Sequence, residues 1–397
     1  MAVPFPGDAA LWVRFVSGDF DTLIARAAET DPGDVAQVAS LRRRASADQV
    51  AVAIQIADAR RRLAAKTPDA RRWISDTAGA QMASDAAVAA HKAKRFAAAA
   101  DHVADLCCGI GADSAALNAA GVDVDAVDLD ERRCIMTRYN AGVEALVHNA
   151  ESFDATGRVV HMDPARRDGA RRLMRPADLV PGPETISRIV NASAGAGVKL
   201  MPGINPEDLA PLDMRGGEME YISRRGRMSQ AVWWSGALAQ HARSATMLGD
   251  SGQGLTIAGE ASELEIPPES QDARKLGAWL YQPDPAPERA GLLGTLAEEL
   301  CLGVLHPSLG LLTGDAHLES PWVTAFAVVE RMPWRPKRVR EALASFGAGL
   351  VEVKTRGGAV DPDRMQGELR CSGDRTLTVF VLRFGTKIEA IIAERRK

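Results

Sequence analysis

The chain has no hydrophobic run long enough to cross a bilayer, no disulfide pattern and no paired metal-binding cysteines. Its apolar stretches all fall short of the ~20 residues that a membrane helix needs. The opening MAVPFPGDAALWVRFVSGDF has no basic start, apolar core or small-residue cleavage site, so a secretory leader is not expected. The five cysteines, Cys107, Cys108, Cys134, Cys301 and Cys371, are odd in number and irregular in spacing, and no two stand as CxxC. That argues against a disulfide framework and a structural zinc site. It predicts a metal-free protein of the reducing cytoplasm. Internal repeats and long low-complexity tracts are absent as well.

What is present is an ordinary globular composition: 397 residues, 46% hydrophobic and 25% charged, enough for two or three domains. The net charge of −4 is unevenly spread. From Arg331 to Lys397 there are 15 Lys and Arg against 8 Asp and Glu, a local net of +7, which leaves −11 for the rest. A basic terminal domain on an acidic body suggests a polyanionic partner, or else no more than a solvated basic face.

Residues 1–100 read as a helical region rich in Ala, Arg and Gln. Ser46 followed by Gln49 resembles a capping box at the start of a helix over 46–66, and a second Ala-rich helix covers roughly 84–99. The Arg clusters at 42–44 and 60–62 read first as solvated helix faces. Over residues 101–250 the texture changes. HVADLCC, VDAVDLD, ALVHNAE, RVVHMD and GVKLMPG read as strands, with ADSAALNAAG, ERRCIMTRYNAGV and PETISRIVNAS as helices among them. Such alternation predicts a parallel sheet with helices on both faces. EMEYISRRG and SQAVWWSG follow as two strands with no helix between them, a closing hairpin in which one of Trp233 and Trp234 faces the core. Residues 251–322 are expected to be a connecting region with its own helix, ERAGLLGTLAEELCL. Residues 323–397 read βαβαββ, a small α/β domain of a size to fold alone.

The chemistry gathers at strand ends. VADLCCGIGADS, residues 103–114, sits at a strand–turn–helix junction where Gly109 and Gly111 let the backbone pass close to a ligand. The spacing is DxCxGxG, not GxGxxG, with Asp105 in first place. An acid there suits an ammonium, directly or through water, better than a pyrophosphate, which disfavours NAD. Cys107 and Cys108 read as small packing residues more than nucleophiles. Asp128, 17 residues past Gly111, stands where a carboxylate takes two ribose hydroxyls, and Asp130 before ERRC suits a helix N-cap. At the third strand end, Asn149 or Glu151 is a candidate acceptor for an adenine amino group. The fourth strand ends in HMDPARRD. Asp163 and Pro164 make an acceptor on a stiffened turn, able to orient or deprotonate a nucleophile. Arg166 and Arg167 offer forked donors for phosphate, with a surface cluster around Asp168 and Asp178 as the alternative. His161 reads as a base or, more simply, as a satisfied strand histidine.

DLCCGIG with AVDLD and DPAR resembles the class I S-adenosylmethionine (SAM)-dependent methyltransferases, especially RNA-modifying branches with a D-L-x-C-G-x-G motif. From Val323 onward, and most clearly in VEVKTRGGAVDPDRMQGELRCSGDRTLTVFVLRF, the chain resembles the THUMP-like domain found behind such methyltransferases in bacteria. The resemblance implies an α/β fold with a Rossmann-like, seven-stranded sheet closed by the hairpin. It puts Asp105, Cys107, Gly109 and Gly111 around the amino-acid moiety of SAM, Asp128 on its ribose, and Asp163 and Pro164 beside the transferred methyl. It points to RNA, rRNA or tRNA, as substrate. DPAR departs from the [DN]PP-aromatic motif of purine amino-methyltransferases. It is closer to the DPPR of uracil-C5 enzymes, but the loop INPEDL lacks the cysteine that their covalent chemistry needs. The alternatives are a small-molecule or protein methyltransferase, and an RNA-binding protein that holds SAM without turning it over.

Overall fold

The computed structural model describes residues 7–166, 176–205, 208–209, 216–249, 252–261 and 275–396. The chain divides into two compact units, Met1–Ala242 with Leu248–Leu255, and Arg243–Met247 with Thr256–Lys397.

In the first unit six helices precede the sheet: α1 (Ala9–Val16), α2 (Asp21–Ala28), α3 (Val35–Arg42), α4 (Ala47–Leu63), α5 (Thr77–Met82) and α6 (Ala86–Ala97). The capping box at α4 has both halves: Ser46 Oγ accepts from the Gln49 amide at 3.3 Å, and Gln49 Oε1 accepts from the Ser46 amide at 2.9 Å. Two amides that the helix start would leave unpaired are thereby satisfied. Helices α1, α2 and α4 bury Trp12, Phe15, Ile24, Ile56 and Leu63 in a cluster that also takes in Ile110, Ile135 and Met136 from beyond residue 100. Helix α6 lies on the sheet, with Val88, Ala93 and Phe96 packed among Val103, Val124 and Trp234. Helices of the N-terminal region therefore contribute to two clusters, each shared with residues beyond 100.

Strands β1 (His102–Leu106), β2 (Asp123–Asp128), β3 (Ala145–Val147), β4 (Val159–Met162), β7 (Gly195–Leu200), β8 (Gly217–Arg224) and β9 (Arg227–Gly236) alternate with α7 (Ala112–Ala119), α8 (Glu131–Ala141) and α9 (Pro183–Ala192) until the final pair. Between β4 and α9, β5 (Ala165–Arg166) and β6 (Leu179–Val180) form a short antiparallel ribbon. Within the unit the strand order is β8-β9-β7-β4-β1-β2-β3. The five strands from β3 to β7 are parallel, and β9 runs antiparallel to both β7 and β8. This is the expected Rossmann-like sheet with its closing hairpin. The chain order reverses between β1 and β4, so the crevice beyond their carboxyl ends is where such a sheet binds ligands.

Paired charges hold α6 to the hairpin. Glu218 and Glu220 are buried on β8; His91 Nε2 lies 2.7 Å from Glu220, and Arg95 Nη1 donates to Glu218 at 3.1 Å. The Arg95 guanidinium stacks 4.6 Å from the Trp234 ring centroid, and Trp234 Nε1 donates to Glu220 at 2.8 Å. Trp234 is the inward member of its pair, fully buried, while Trp233 is half-buried.

Strands β10 (Arg243–Leu248) and β11 (Gly254–Gly259) carry residues of both units. The second unit contains β12 (Trp279–Pro283), α10 (Pro285–Ala290), α11 (Leu293–Glu299), β13 (Gly303–His306), β14 (Leu311–Gly314), β15 (Val323–Pro333), α12 (Pro336–Ser345), β16 (Ala348–Arg356), α13 (Pro362–Glu368), β17 (Arg375–Phe384) and β18 (Lys387–Arg395). Its sheet order is β13-β14-β12-β15-β18-β17-β16. From β15 the elements follow the βαβαββ order read in the sequence. The stretch read as a connector differs from that reading. It supplies three strands of the same sheet, with β12 antiparallel to β15. Its Leu280, Leu305, Leu309 and Leu311 are buried in one cluster with Phe326 and Phe380. The single helix expected there is two, because Gly291 ends α10 in the left-handed region at φ +72°. Among the described residues no helix is long and apolar enough to cross a membrane.

The contact of α6 with the sheet gives a direct test. A Cβ on Gly197 would lie 2.6 Å from Trp234 and 2.7 Å from Phe96. Gly197→Ala is expected to lower stability by about 1–3 kcal/mol through overpacking, read by urea unfolding followed by tryptophan fluorescence. An unchanged midpoint would show that the rings are not packed as described.

Candidate active site

The loop between β1 and α7 is shaped by left-handed residues: Cys107 at φ +60°, Gly109 at φ +60° and Gly111 at φ +83°. The two glycines differ in purpose. A Cβ on Gly111 would press on Thr137 of α8 at 3.0–3.1 Å, so this glycine lets two helices approach. A Cβ on Gly109 would meet nothing within 4 Å, so this glycine keeps open space above the turn. Helix α8 clamps the turn from the side: Thr137 Oγ1 donates to the Gly109 carbonyl at 3.0 Å, and Asn140 Nδ2 donates to the Ile110 carbonyl at 2.9 Å.

Asp128 ends β2 beside this turn. Its Oδ2 accepts from the Gly109 amide and its Oδ1 from the Asp130 amide, each at 3.0 Å. Each oxygen keeps a lone pair for another donor. Burial pushes the Asp128 carboxyl above its ordinary value, and the two amide bonds only partly offset that. Asp130 is the N-cap of α8, accepting from the Arg132 amide at 2.9 Å. Asn149 is exposed, and its Oδ1 accepts from the Glu151 amide at 2.9 Å within the turn over residues 150–152. The two candidate adenine acceptors are thus held together.

Asp105 sits beneath the turn. It is 0% exposed, with one oxygen accepting from Ser114 Oγ and the other 2.7 Å from His161 Nδ1. Lys92 Nζ of α6 lies 3.1 Å from His161 Nε2 and 2.7 Å from Asp113 Oδ1, and Ser84 Oγ donates to Asp113 Oδ2 at 2.7 Å. An ammonium can only donate, so Nε2 accepts and the ring proton sits on Nδ1, pointing at Asp105. Burial pushes the Asp113 carboxyl up, but the Lys92 ammonium, aided by Lys199, holds it well below the usual carboxylate range. His161 is therefore the satisfied strand histidine. With both oxygens hydrogen-bonded in the core, Asp105 shapes the turn from below.

Asp163 follows β4, and its amide donates to the Leu106 carbonyl of β1 at 3.2 Å. Its partner is Lys199, with Nζ 2.7 Å from Oδ2. Register explains the meeting: Met162 pairs with Val198, so Asp163 and Lys199 are the next residues on adjacent parallel strands. Burial alone would push the Lys199 ammonium down, yet Asp163, Asp113 and Asp105 more than offset it and hold it above its ordinary value. The sequence reading missed Lys199, although it is the one charged residue in the strand GAGVKL. Pro164 is buried, and the Arg166 backbone pairs with Leu179 in the short ribbon. Arg167 and Asp168 lie outside the described residues.

The Cys107 thiol is pushed far above its ordinary value, first by burial and then by Asp128, Asp163 and Asp105. A thiol raised in this way is a poor nucleophile.

Residues 323–395 match the THUMP domain-like family. Two proteins of Mycobacterium tuberculosis strains, each described as an uncharacterized S-adenosylmethionine-dependent methyltransferase, are 34% identical to the chain over 323 residues. The match spans 79% of this chain and 86% of each of theirs. A crystal structure of a protein from Porphyromonas gingivalis, assigned as a methyltransferase, matches with a TM-score of 0.70. The match covers 97% of this chain and 98% of that one at 16% identity, a likeness of fold.

The thiols distinguish this electrostatic arrangement from an open one. At pH 8, iodoacetamide should modify the exposed Cys301 first and Cys107 at least about tenfold more slowly, as peptide mass spectrometry would measure. Equal rates at the two cysteines would mean that the carboxylates do not surround Cys107.

Proposed function

The chain belongs to the S-adenosylmethionine-dependent methyltransferases, and from that premise we propose that it methylates RNA, rRNA or tRNA, in the cytoplasm, with Asp128, the glycine turn and Asp163 as its working parts. The observation that carries the reading is the open space over Gly109 beside the Asp128 carboxylate, at the switch point of the sheet. The residues suit the cofactor: SAM brings a sulfonium and an ammonium, and Asp128, Asp163 and Asp105 give the mouth a negative field.

In this reading Asp128 takes the ribose hydroxyls with its remaining lone pairs. Cys107, Gly109 and Gly111 shape the turn against the amino-acid moiety, with Asp105 acting from beneath. Asn149, with Glu151, faces the adenine edge. When bound, SAM supplies an electrophilic methyl whose departure leaves a neutral thioether. Asp163, on the turn stiffened by Pro164, orients the attacking group of the RNA and accepts the proton it sheds. Arg166 and Arg167 bind a nearby phosphate. Positioning supplies most of the rate, because the leaving group is already good. With Cys107 held protonated and no cysteine in residues 204–209, direct transfer is favoured over a covalent enzyme–base route.

RNA is favoured over a small molecule by the second unit. Arg335, Lys337, Arg338 and Arg340 are exposed at the start of α12 and make no ion pair among the described residues. A cluster of that kind neutralises backbone phosphates.

The test is transfer of tritiated methyl from SAM to RNA purified from cells that lack this gene. Labelled RNA is expected. The triple variant Lys337→Glu, Arg338→Glu, Arg340→Glu should keep SAM affinity. It should weaken RNA binding and lower its salt dependence by about 0.7 in log–log slope per lost contact to single-stranded RNA. Label entering only protein or small molecules would overturn the assignment.

A further inference from the structure

Lys199 has no part in the readings so far, yet it is placed at the centre of the reacting end. It projects from β7 one residue beyond the last β4–β7 pair, where Asp163 meets it at 2.7 Å. Its side chain is 17% exposed and that of Asp163 is 31% exposed, so both sit at the mouth and not on the open surface. A second bond runs from Nζ to the Met82 carbonyl at the end of α5, 3.3 Å away. Lysine tails are flexible, and this one is fixed at its tip by two partners on different elements. Of the carboxylate it holds, Oδ2 is taken by the ammonium and Oδ1 accepts no hydrogen bond among the described residues.

The surroundings explain why a cation is needed. On β1, β2 and α7 stand Asp105, Asp128 and Asp113, all close enough to act on Cys107 or Lys199. Two further cations are near. Lys92 of α6 is committed to Asp113 and His161. Lys66, which follows α4, donates to the carbonyls of Ala80, Gln81 and Ala83 at 3.0, 2.6 and 2.8 Å. Neither contacts Asp163.

We propose that Lys199 is a positioning residue of the methyl-transfer site, clamping Asp163 so that its free oxygen meets the nucleophile. This rests on the role given to Asp163 under the proposed function. In the step it serves, the lone pair of the nucleophile would form a bond to the methyl carbon as the carbon–sulfur bond breaks with its pair kept on sulfur. The proton of the nucleophile passes through Asp163 to water.

Two measurements test it. In the RNA methylation assay, Lys199→Met should lower kcat about 100-fold, the scale of a misplaced catalytic group, while SAM affinity and the KM for RNA change less than about twofold. Lys199→Arg, which keeps the charge and the donor, should recover most of kcat. A structural role would instead raise KM, weaken SAM binding, or leave arginine unable to rescue. The second measurement needs no substrate. In acylation by an amine-reactive ester at pH 8.5, Lys199 should be protected in the wild type and labelled several-fold faster in Asp163→Asn, because the charge that holds its ammonium is gone. Equal labelling in the two proteins, or wild-type kcat in Lys199→Met, overturns the proposal. Should the labelling contrast appear while no RNA is methylated, the clamp stands as a structural pair and the reading of the substrate falls.

Discussion

Burying a carboxylate costs several kcal/mol unless a counter-charge and hydrogen bonds go in with it, and the first unit buries Asp105 and Asp113 under one turn. Lys92 meets that requirement. Its ammonium, itself buried, lies between Asp113 and the His161 that hydrogen-bonds Asp105. The lysine comes from α6, which precedes the sheet in the chain. The charges buried beneath the turn over residues 107–111 are thus balanced by a lysine from the N-terminal helices. Further pairs secure the same docking: Arg133 with Asp76 at 2.6 Å, and His91 with Glu220 at 2.7 Å. The helical region is thus packed against the glycine turn through buried charge pairs.

From that floor the site is built upward by strand ends. Asp128 closes onto the Gly109 amide and fixes the distance between β1 and β2 at the mouth. Asp163 and Lys199 do the same between β4 and β7. The result is a set of strand ends with the Asp128 carboxylate on one side, the Asp163–Lys199 pair on the other and open space at Gly109. Such a shape and charge fit a ligand that is cationic at one end and carries a ribose at the other. The basic residues that would suit a polyanion are found in the second unit, at Arg335, Lys337, Arg338 and Arg340. Each unit thus has its own electrostatic character, acidic at the strand ends of the first and basic on α12 of the second.

Much of this was legible in the sequence, because local chemistry dominates there. The alternation of apolar runs and helices marked the parallel strands, and the missing helix marked the hairpin. The left-handed glycines Gly109 and Gly111 and the Asp130 cap were readable because each is demanded by backbone geometry within a few residues. What escaped depends on contacts between distant residues. Lys199 meets Asp163 through strand register, and Lys92 meets Asp113 and His161 through helix packing; neither spacing is visible along the chain. Asp105 read as a ligand because its place in the motif is the same whether its carboxylate turns up or down. The stretch before β15 read as a connector because β13 and β14 are only four residues each, too short to show a clear alternation.

The most direct measurement is calorimetric titration of the full chain with SAM, with NAD as the contrast, repeated on Asp128→Ala. The account predicts a single micromolar site for SAM, no heat with NAD, and about 100-fold weaker binding in the variant, the scale of losing a charged acceptor for two hydroxyls. SAM binding that is unchanged in Asp128→Ala, or absent from the wild type, would contradict it.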